Sequence, residues 1–282
     1  MPSGIWTLIT RTIPENNTEK GLRRKMRRPF FVDGAAVMRY NEQKKERGGE
    51  MYDWSAEQMA FWRDALRFTD YYRVIAGHIA PYLPPYASVC DAGCGLGALG
   101  LALLPHCRTV TCVDREPSVI ADLQKRAPAG LTALCGDVEQ CPPPETYDAM
   151  VFCLFGSTEQ ALRIAGRQCR GRIFLVKRDY THHRFSAGEV PLGDYNAENT
   201  ARELARRQIP CRTEEFTADF HQPVRSREEA RRFFALHDLS DRPLSPAELE
   251  ARLCPGPTAE FPLCIPHTKQ LRLFIIETAD IP

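Results

Sequence analysis

The segment Val89-Cys90-Asp91-Ala92-Gly93-Cys94-Gly95-Leu96-Gly97 constrains this chain more than any other. A short apolar run, residues 87–90, leads into it, and an apolar stretch with helical spacing, residues 99–104, leaves it. Glycines in a strand-to-helix turn adopt backbone angles closed to other residues and let a ligand approach the main chain. The helix that follows directs unpaired N–H groups toward the turn. The chain is therefore expected to open its main domain with a β-strand that feeds a helix over a tight turn, the first unit of an α/β fold.

The alternation continues downstream. Residues 109–113 read as a strand ending in Asp114, and 117–126 as a helix with Pro117 in its first turn. Residues 131–135 form a third strand followed by Gly136-Asp137, and 147–154 a fourth. A helix over 157–169 precedes a strongly apolar fifth strand, 172–176; a helix over 196–207 precedes a strand near 212–220, and 270–277 is the last. Strands alternating with helices imply a mostly parallel sheet covered on both faces. With 282 residues, 43% of them hydrophobic and 26% charged, the chain can bury a full core without disulfide staples.

Three regions are expected. Residues 1–50 carry eleven Lys and Arg against six acids, concentrated in Lys20, Arg23, Arg24, Lys25, Arg27 and Arg28, and read as a poorly ordered basic segment. Residues 51–85 read as a helical cap: Ser55-Ala56-Glu57-Gln58 is a capping-box signature, Met59, Trp62 and Leu66 recur at helical spacing, and Tyr71, Ile75, Ile79 and Tyr82 mark a second helix. Residues 86–282 form the main domain, interrupted at about 222–266 by an insertion of short helices. Ala230, Phe233, Phe234 and His237 mark one of these, and Ser245-Pro246-Ala247-Glu248 caps another.

The eleven cysteines are odd in number, scattered from Cys90 to Cys264, and form no Cys-x-x-Cys pair, so free and mostly buried thiols in a reducing compartment are expected. No apolar run approaches the roughly 18 residues of a membrane span, and the first residues lack the basic and apolar parts of a secretory signal. A cytoplasmic, soluble protein is the expectation. No His, Asp or Glu grouping has the spacing of a metal site.

Two cofactor classes compete for the turn. Residues Gly95, Gly97 and Gly100 match the dinucleotide pattern G-x-G-x-x-G. Three acids weigh against it. Asp91 sets a carboxylate at the first strand tip, where a pyrophosphate is repelled and an ammonium held. Asp114 ends the second strand, where a carboxylate accepts both hydroxyls of a ribose, and Asp137 follows the third, where it accepts from an adenine amino group.

An acidic-Gly-x-Gly-x-Gly turn, an acid ending the second strand and Gly-Asp after the third resemble the class I S-adenosylmethionine-dependent methyltransferases, over about residues 86–282. The resemblance implies a Rossmann-like seven-stranded sheet with its last strand antiparallel, helices on both faces, and S-adenosyl-L-methionine as cofactor. It implies that Asp91 and the turn of Gly93, Cys94, Gly95 and Gly97 hold the methionine part. Asp114 would take the ribose hydroxyls, Arg115 would lie beside the adenine face, Asp137 would take the adenine amino group, the Val138 N–H an adenine ring nitrogen, and Phe155 would lie near the methionine end.

The acceptor side is less constrained. Strand four ends Val151-Phe152-Cys153-Leu154-Phe155-Gly156-Ser157, without the Asn/Asp-Pro-Pro-Tyr loop of members that methylate adenine, cytosine or glutamine nitrogen. His182, His183 and His221 are the candidates for holding a proton near neutral pH, against the plainer reading of solvated loop residues. Trp62, Tyr71 and Tyr72 form either an aromatic wall or ordinary core. A small-molecule acceptor enclosed by the helical segments is expected. The alternatives are an RNA or ribosomal substrate contacted by the basic N-terminal segment, and a non-catalytic S-adenosylmethionine-binding protein.

Overall fold

The computed structural model describes residues 54–191, 196–240 and 242–282. The basic segment expected over residues 1–50 lies outside the described residues. Seven strands form the main sheet: β1 (Ser88–Ala92), β2 (Thr109–Asp114), β3 (Leu131–Cys135), β4 (Tyr147–Cys153), β5 (Cys169–Arg178), β6 (Arg212–Asp219) and β10 (Thr268–Glu277). Their order is β3-β2-β1-β4-β5-β10-β6. β10 runs antiparallel to both neighbours, and β1 to β5 pair in parallel. The seven-stranded, mostly parallel, Rossmann-like sheet expected from the strand count is the observed one.

Helices cover both faces. On one side lie α2 (Tyr71–Ile79), α3 (Ala98–Leu103) and α4 (Pro117–Arg126), which bury Tyr71, Ile75, Leu99, Leu103, Ile120 and Leu123 with Val151, Val176, Leu271 and Leu273 of the sheet. On the other, α5 (Thr158–Gln168) and α6 (Ala197–Arg206) bury Leu162, Ile164 and Leu204 against Met150, Phe152, Ile173 and Leu175. The central strands are covered on both faces, which is why β4 and β5 read as continuous apolar runs.

Helix α1 (Ala56–Leu66) starts where the capping signature puts it, with Ser55 Oγ accepting from the Gln58 N–H at 3.2 Å. Its Phe61 packs edge-on to Phe233 of α7 (Arg227–His237), centroids 5.3 Å apart, and Asp64 meets Arg225 at 2.7 Å. The second capping box, at Ser245, opens α8 (Pro246–Glu250). The insertion is not all helical: β7 (Gln222–Val224), β9 (Leu263–Ile265) and β8 (Cys254–Pro255) pair antiparallel in a small second sheet. Two- and three-residue strands show no periodicity, so the sequence expectation of helices alone missed them.

The last strand begins at Thr268 rather than Gln270, because Lys269 occupies an inward-facing position that hydropathy reads as loop. None of the eleven cysteines forms a disulfide; only Cys90, Cys112, Cys169 and Cys264 are fully buried, so "mostly buried" overstated their seclusion. Among the described residues no helix is long and apolar enough to cross a membrane, and no group of three His, Cys, Asp or Glu side chains is arranged to hold a metal ion.

Candidate active site

The carboxyl ends of β1, β2, β3 and β4 gather the glycine turn and the acids. Gly93, Gly95 and Gly97 all have positive φ (68°, 51° and 71°). At two of them the space is needed as well as the angle. A Cβ on Gly93 would lie 2.3 Å from the Phe155 ring, and one on Gly95 would lie 2.6 Å from the Trp54 ring. Trp54, the first described residue, thus covers the turn from the cap side. The sequence reading did not single it out, since nothing local couples it to a glycine 41 positions on.

The donors of the turn are already used. Gly93 and Cys94 N–H both donate to Val113 O (2.9 and 3.1 Å), Gly97 N–H donates to Cys94 O (2.9 Å), and Gly95 N–H donates to Asp114 Oδ2 (2.8 Å). A pyrophosphate-binding turn would present these groups outward. Asp114 also accepts from the Glu116 N–H through Oδ1 (3.0 Å), which fixes its carboxylate at the β2 tip with lone pairs to spare on both oxygens.

Asp91 contrasts with Asp114. It is 1% exposed, and its Oδ2 has no well-formed hydrogen bond. Burial pushes its pKa up to about 7; the Gly100 N–H in the first turn of α3 offsets part of that rise, and the Asp114 charge adds to it. A buried carboxylate with an orphaned oxygen at a strand tip fits a cationic partner. The donor set therefore fits the ammonium, ribose and adenine of S-adenosylmethionine better than the phosphates of a dinucleotide.

At the β3 tip, Asp137 Oδ1 accepts from the Glu139 N–H (3.0 Å), and exposed Arg115 brings Nη1 to 4.0 Å from Asp137 Oδ2. Buried Val138 is anchored by Gln168 of α5, whose Nε2 donates to Val138 O at 2.7 Å. After β4, Leu154 takes a left-handed backbone (φ 53°), unusual for a bulky residue, and this brings Phe155 over Gly93. Lys177 of β5 ties that bend, donating from Nζ to Gly156 O at 2.6 Å. The Cys94 thiol donates to Gly95 O at 3.6 Å, and the neighbouring Cys112 thiol together with burial holds it well above the ordinary thiol range, so it fills space rather than reacting.

The three histidines are dispersed. His182 is exposed, with Nδ1 3.0 Å from Thr181 Oγ1. His183 Nδ1 lies 2.7 Å from Ser186 Oγ. Both line a cavity of about 400 Å³ between the 180–189 loop and Arg252, and Asp91 is not part of its wall. His221 Nδ1 accepts the His267 N–H at 2.9 Å, which turns this nitrogen to the backbone and leaves Nε2 3.9 Å from Asp219 Oδ2.

Beyond the cofactor turn, the same sheet face carries groups that the sequence reading passed over. Lys269 at the start of β10 is 8% exposed and holds Nζ 4.7 Å from the Tyr71 ring, 4.7 Å from Phe220 and 5.8 Å from Trp62. Burial pushes its pKa down to about 7, with the Arg178 charge adding. Trp62 packs on Phe220 (4.6 Å) and on Tyr72 (6.3 Å), so the aromatic wall and the core are here the same residues. An inward lysine in register with Leu271 and Leu273 was the one local signal available for it.

The family model for a methyltransferase domain matches residues 89–189, from β1 into the loop after β5. No curated protein sequence matches the chain. Solved structures similar to it include a functionally unknown protein from Deinococcus radiodurans R1 (14% identical, covering 84% of this chain and 98% of that one, TM-score 0.47). Others are the N-methyltransferase NodS from Bradyrhizobium japonicum WM9 (16%, 72% and 93%, 0.42) and a geranyl diphosphate methyltransferase in complex with SAM (13%, 73% and 85%, 0.43). The matched residues 89–189 hold the glycine turn, Asp114 and Asp137 within the β3-β2-β1-β4-β5-β10-β6 sheet, so this part of the chain is similar to a methyltransferase domain.

Proposed function

We propose that the protein transfers a methyl group from S-adenosyl-L-methionine to a small-molecule acceptor held under the helical cap. The observation that carries the cofactor reading is the pairing within the turn. The N–H groups of Gly93, Cys94, Gly95 and Gly97 are consumed internally, while buried Asp91 keeps an unpartnered oxygen. Such a turn repels a pyrophosphate and suits an ammonium.

Each residue then has a role. Asp91 takes the ammonium, and the turn of Gly93, Cys94, Gly95 and Gly97 lets the methionine part lie on the main chain under Trp54 and Phe155. Asp114 takes the ribose hydroxyls. Asp137 and the Val138 N–H take the adenine edge, with Arg115 over its face. The cofactor supplies an electrophilic methyl on a sulfonium, open to in-line displacement. For such a displacement the chain mainly has to bind, orient and exclude water. Trp54, Trp62 and Tyr71 of the cap do the excluding. If the acceptor must lose a proton, His183 is the best placed of the three histidines, since its ring lies edge-on to Phe185 at 5.9 Å, which in turn packs at 4.7 Å on His267 near Lys269. His182 and His221 are the other candidates.

The test is calorimetric titration with S-adenosylmethionine and, separately, with NAD, on wild type and on Asp114→Ala. Saturable S-adenosylmethionine binding, greatly weakened in the variant, supports the reading. Binding of NAD alone would overturn it. Deleting residues 1–28 should leave turnover of a small acceptor intact, whereas loss of activity would favour an RNA substrate contacted by that basic segment.

A further inference from the structure

The strand register sets a row of side chains on one face of the sheet. Asp91 pairs with Val151, and Cys153 follows on the same face; Cys153 pairs with Val176, and Arg178 follows. Arg178 pairs with Leu271, Lys269 precedes that on the same face, and Lys269 pairs with Ala218, two residues before Phe220. From the methionine end of the cofactor turn, the row therefore runs to Arg178, Lys269 and Phe220, roofed by Trp62 and Tyr71 of the cap.

The charge along this row is uncompensated. Most arginines of the described residues form ion pairs. Arg178, Arg184 and Lys269 meet no carboxylate among the described residues. Arg184 stacks over Tyr180 at 4.8 Å and reaches Gln270 Oε1 at 3.4 Å, and Lys269 has only its three rings. Two buried polar atoms beside them, Tyr71 Oη and His267 Nε2, have no hydrogen-bond partner. Aromatic faces offset part of the cost of a buried ammonium. An unpaired charge and orphaned polar groups remain expensive until a ligand meets them. The chemistry that would meet these groups is that of an anion.

We infer that the acceptor is a small carboxylate- or phosphate-bearing molecule whose anionic group is held by Lys269, Arg178 and Arg184 beneath Trp62, Tyr71 and Phe220. This rests on the methyl-transfer reading of the adjoining turn. The rings form the apolar seat for the rest of the acceptor, and the unpartnered Tyr71 hydroxyl is a further donor on the ring that Lys269 Nζ approaches to 4.7 Å. A nucleic-acid strand is disfavoured, because phosphate backbones are met by exposed cation tracks. Here Lys269 is 8% exposed and Tyr71 fully buried.

The test uses the full chain saturated with the unreactive product S-adenosylhomocysteine. Benzoate and phenyl phosphate are titrated as anionic probes of the two sources, benzamide as the neutral counterpart and a short single-stranded RNA as the macromolecular arm. At least one small anion should bind, with benzamide at least about tenfold weaker, and Lys269→Met and Arg184→Gln should each weaken the anion about tenfold. Arg184 is exposed, so its variant carries little folding risk, and unchanged S-adenosylhomocysteine affinity is the control in both. Equal binding of benzoate and benzamide, no small anion bound at about 10 mM, or anion affinity unchanged in both variants overturns the inference. So does RNA binding that the variants abolish while neither small anion binds. Failure of wild type to bind S-adenosylhomocysteine would overturn the methyl-transfer reading and the acceptor assignment with it. Anion selectivity measured on the ligand-free chain would still decide whether the site exists.

Discussion

The two ends of this sheet edge are built on opposite principles. At the tips of β1 and β2 the turn donors each have an internal acceptor, and the leftover capacity is negative: the Asp91 oxygen and the spare lone pairs of Asp114. At the tips of β5 and β10 the leftover capacity is positive, in Arg178 and Lys269, with Tyr71 and His267 unpartnered beside them. One end of this sheet edge thus carries spare acceptors and the other spare donors. On the proposed reading, cofactor and acceptor are sorted to opposite ends by charge, without a moving part.

The largest effect that would break this contrast is on stability. Asp91 has a folded pKa near 7 against an ordinary 3.8, so the folded chain binds more protons than the unfolded one between about pH 4 and pH 7. Its penalty therefore grows as pH rises through that window and is complete above it. Asp91→Asn should stabilise the ligand-free protein by on the order of 4 kcal/mol at pH 8 and little at pH 4, while costing cofactor affinity. Thermal melts across pH measure this, and a destabilised variant at pH 8 would mean that the carboxylate already has a partner.

Lys269 makes the mirror prediction. Its folded pKa is near 7 against 10.5, so its penalty is complete below pH 7 and fades as pH climbs toward 10.5. Lys269→Met should stabilise the ligand-free chain by a similar amount, on the order of 4 to 5 kcal/mol, at pH 6 and much less at pH 10. Denaturant titrations at the two pH values would decide it. Asp114→Ala should lower S-adenosylmethionine affinity about a hundredfold, since it removes a charged acceptor and frees the Gly95 and Glu116 N–H groups. Affinity retained in calorimetry would make the β2 tip purely structural.

How much of this contrast was readable beforehand follows from where each half stores its information. The acids at the tips of β1, β2 and β3 each end an apolar run within a few residues of a glycine, so composition and order expose them. The cation end is assembled from α1, α2, β5, the end of β6 and the start of β10. Phe220 and Lys269 meet only through antiparallel pairing across the 222–266 insertion. Lys269 sits in His267-Thr268-Lys269-Gln270, which hydropathy reads as loop. The histidines drew attention because their chemistry is visible in any sequence, whereas a lysine becomes informative only once its burial is known.

Two smaller measurements sharpen the comparison. Cofactor affinity should fall by up to about tenfold for each pH unit below 7, as Asp91 takes up a proton that an ammonium must displace, and should level off above pH 8. A flat calorimetric profile from pH 5 to 8 would remove Asp91 from the cofactor contact. Tyr71→Phe removes a buried hydroxyl with no partner and should stabilise the ligand-free protein by about 1 kcal/mol in a thermal melt. A loss of stability there would mean that the hydroxyl is hydrogen-bonded in solution.

Trp54 covers Gly95 at the acid end, Trp62 lies over Lys269 at the cation end, and their rings stand 5.6 Å apart at 55°. Identical chromophores this close and this oblique share their electronic excitation, and the shared transition splits into paired circular-dichroism bands of opposite sign. Only one other tryptophan exists, Trp6, outside the described residues. The native chain therefore carries a built-in optical ruler between the acid and cation ends of this sheet edge, one that on the proposed reading reports either ligand without a label.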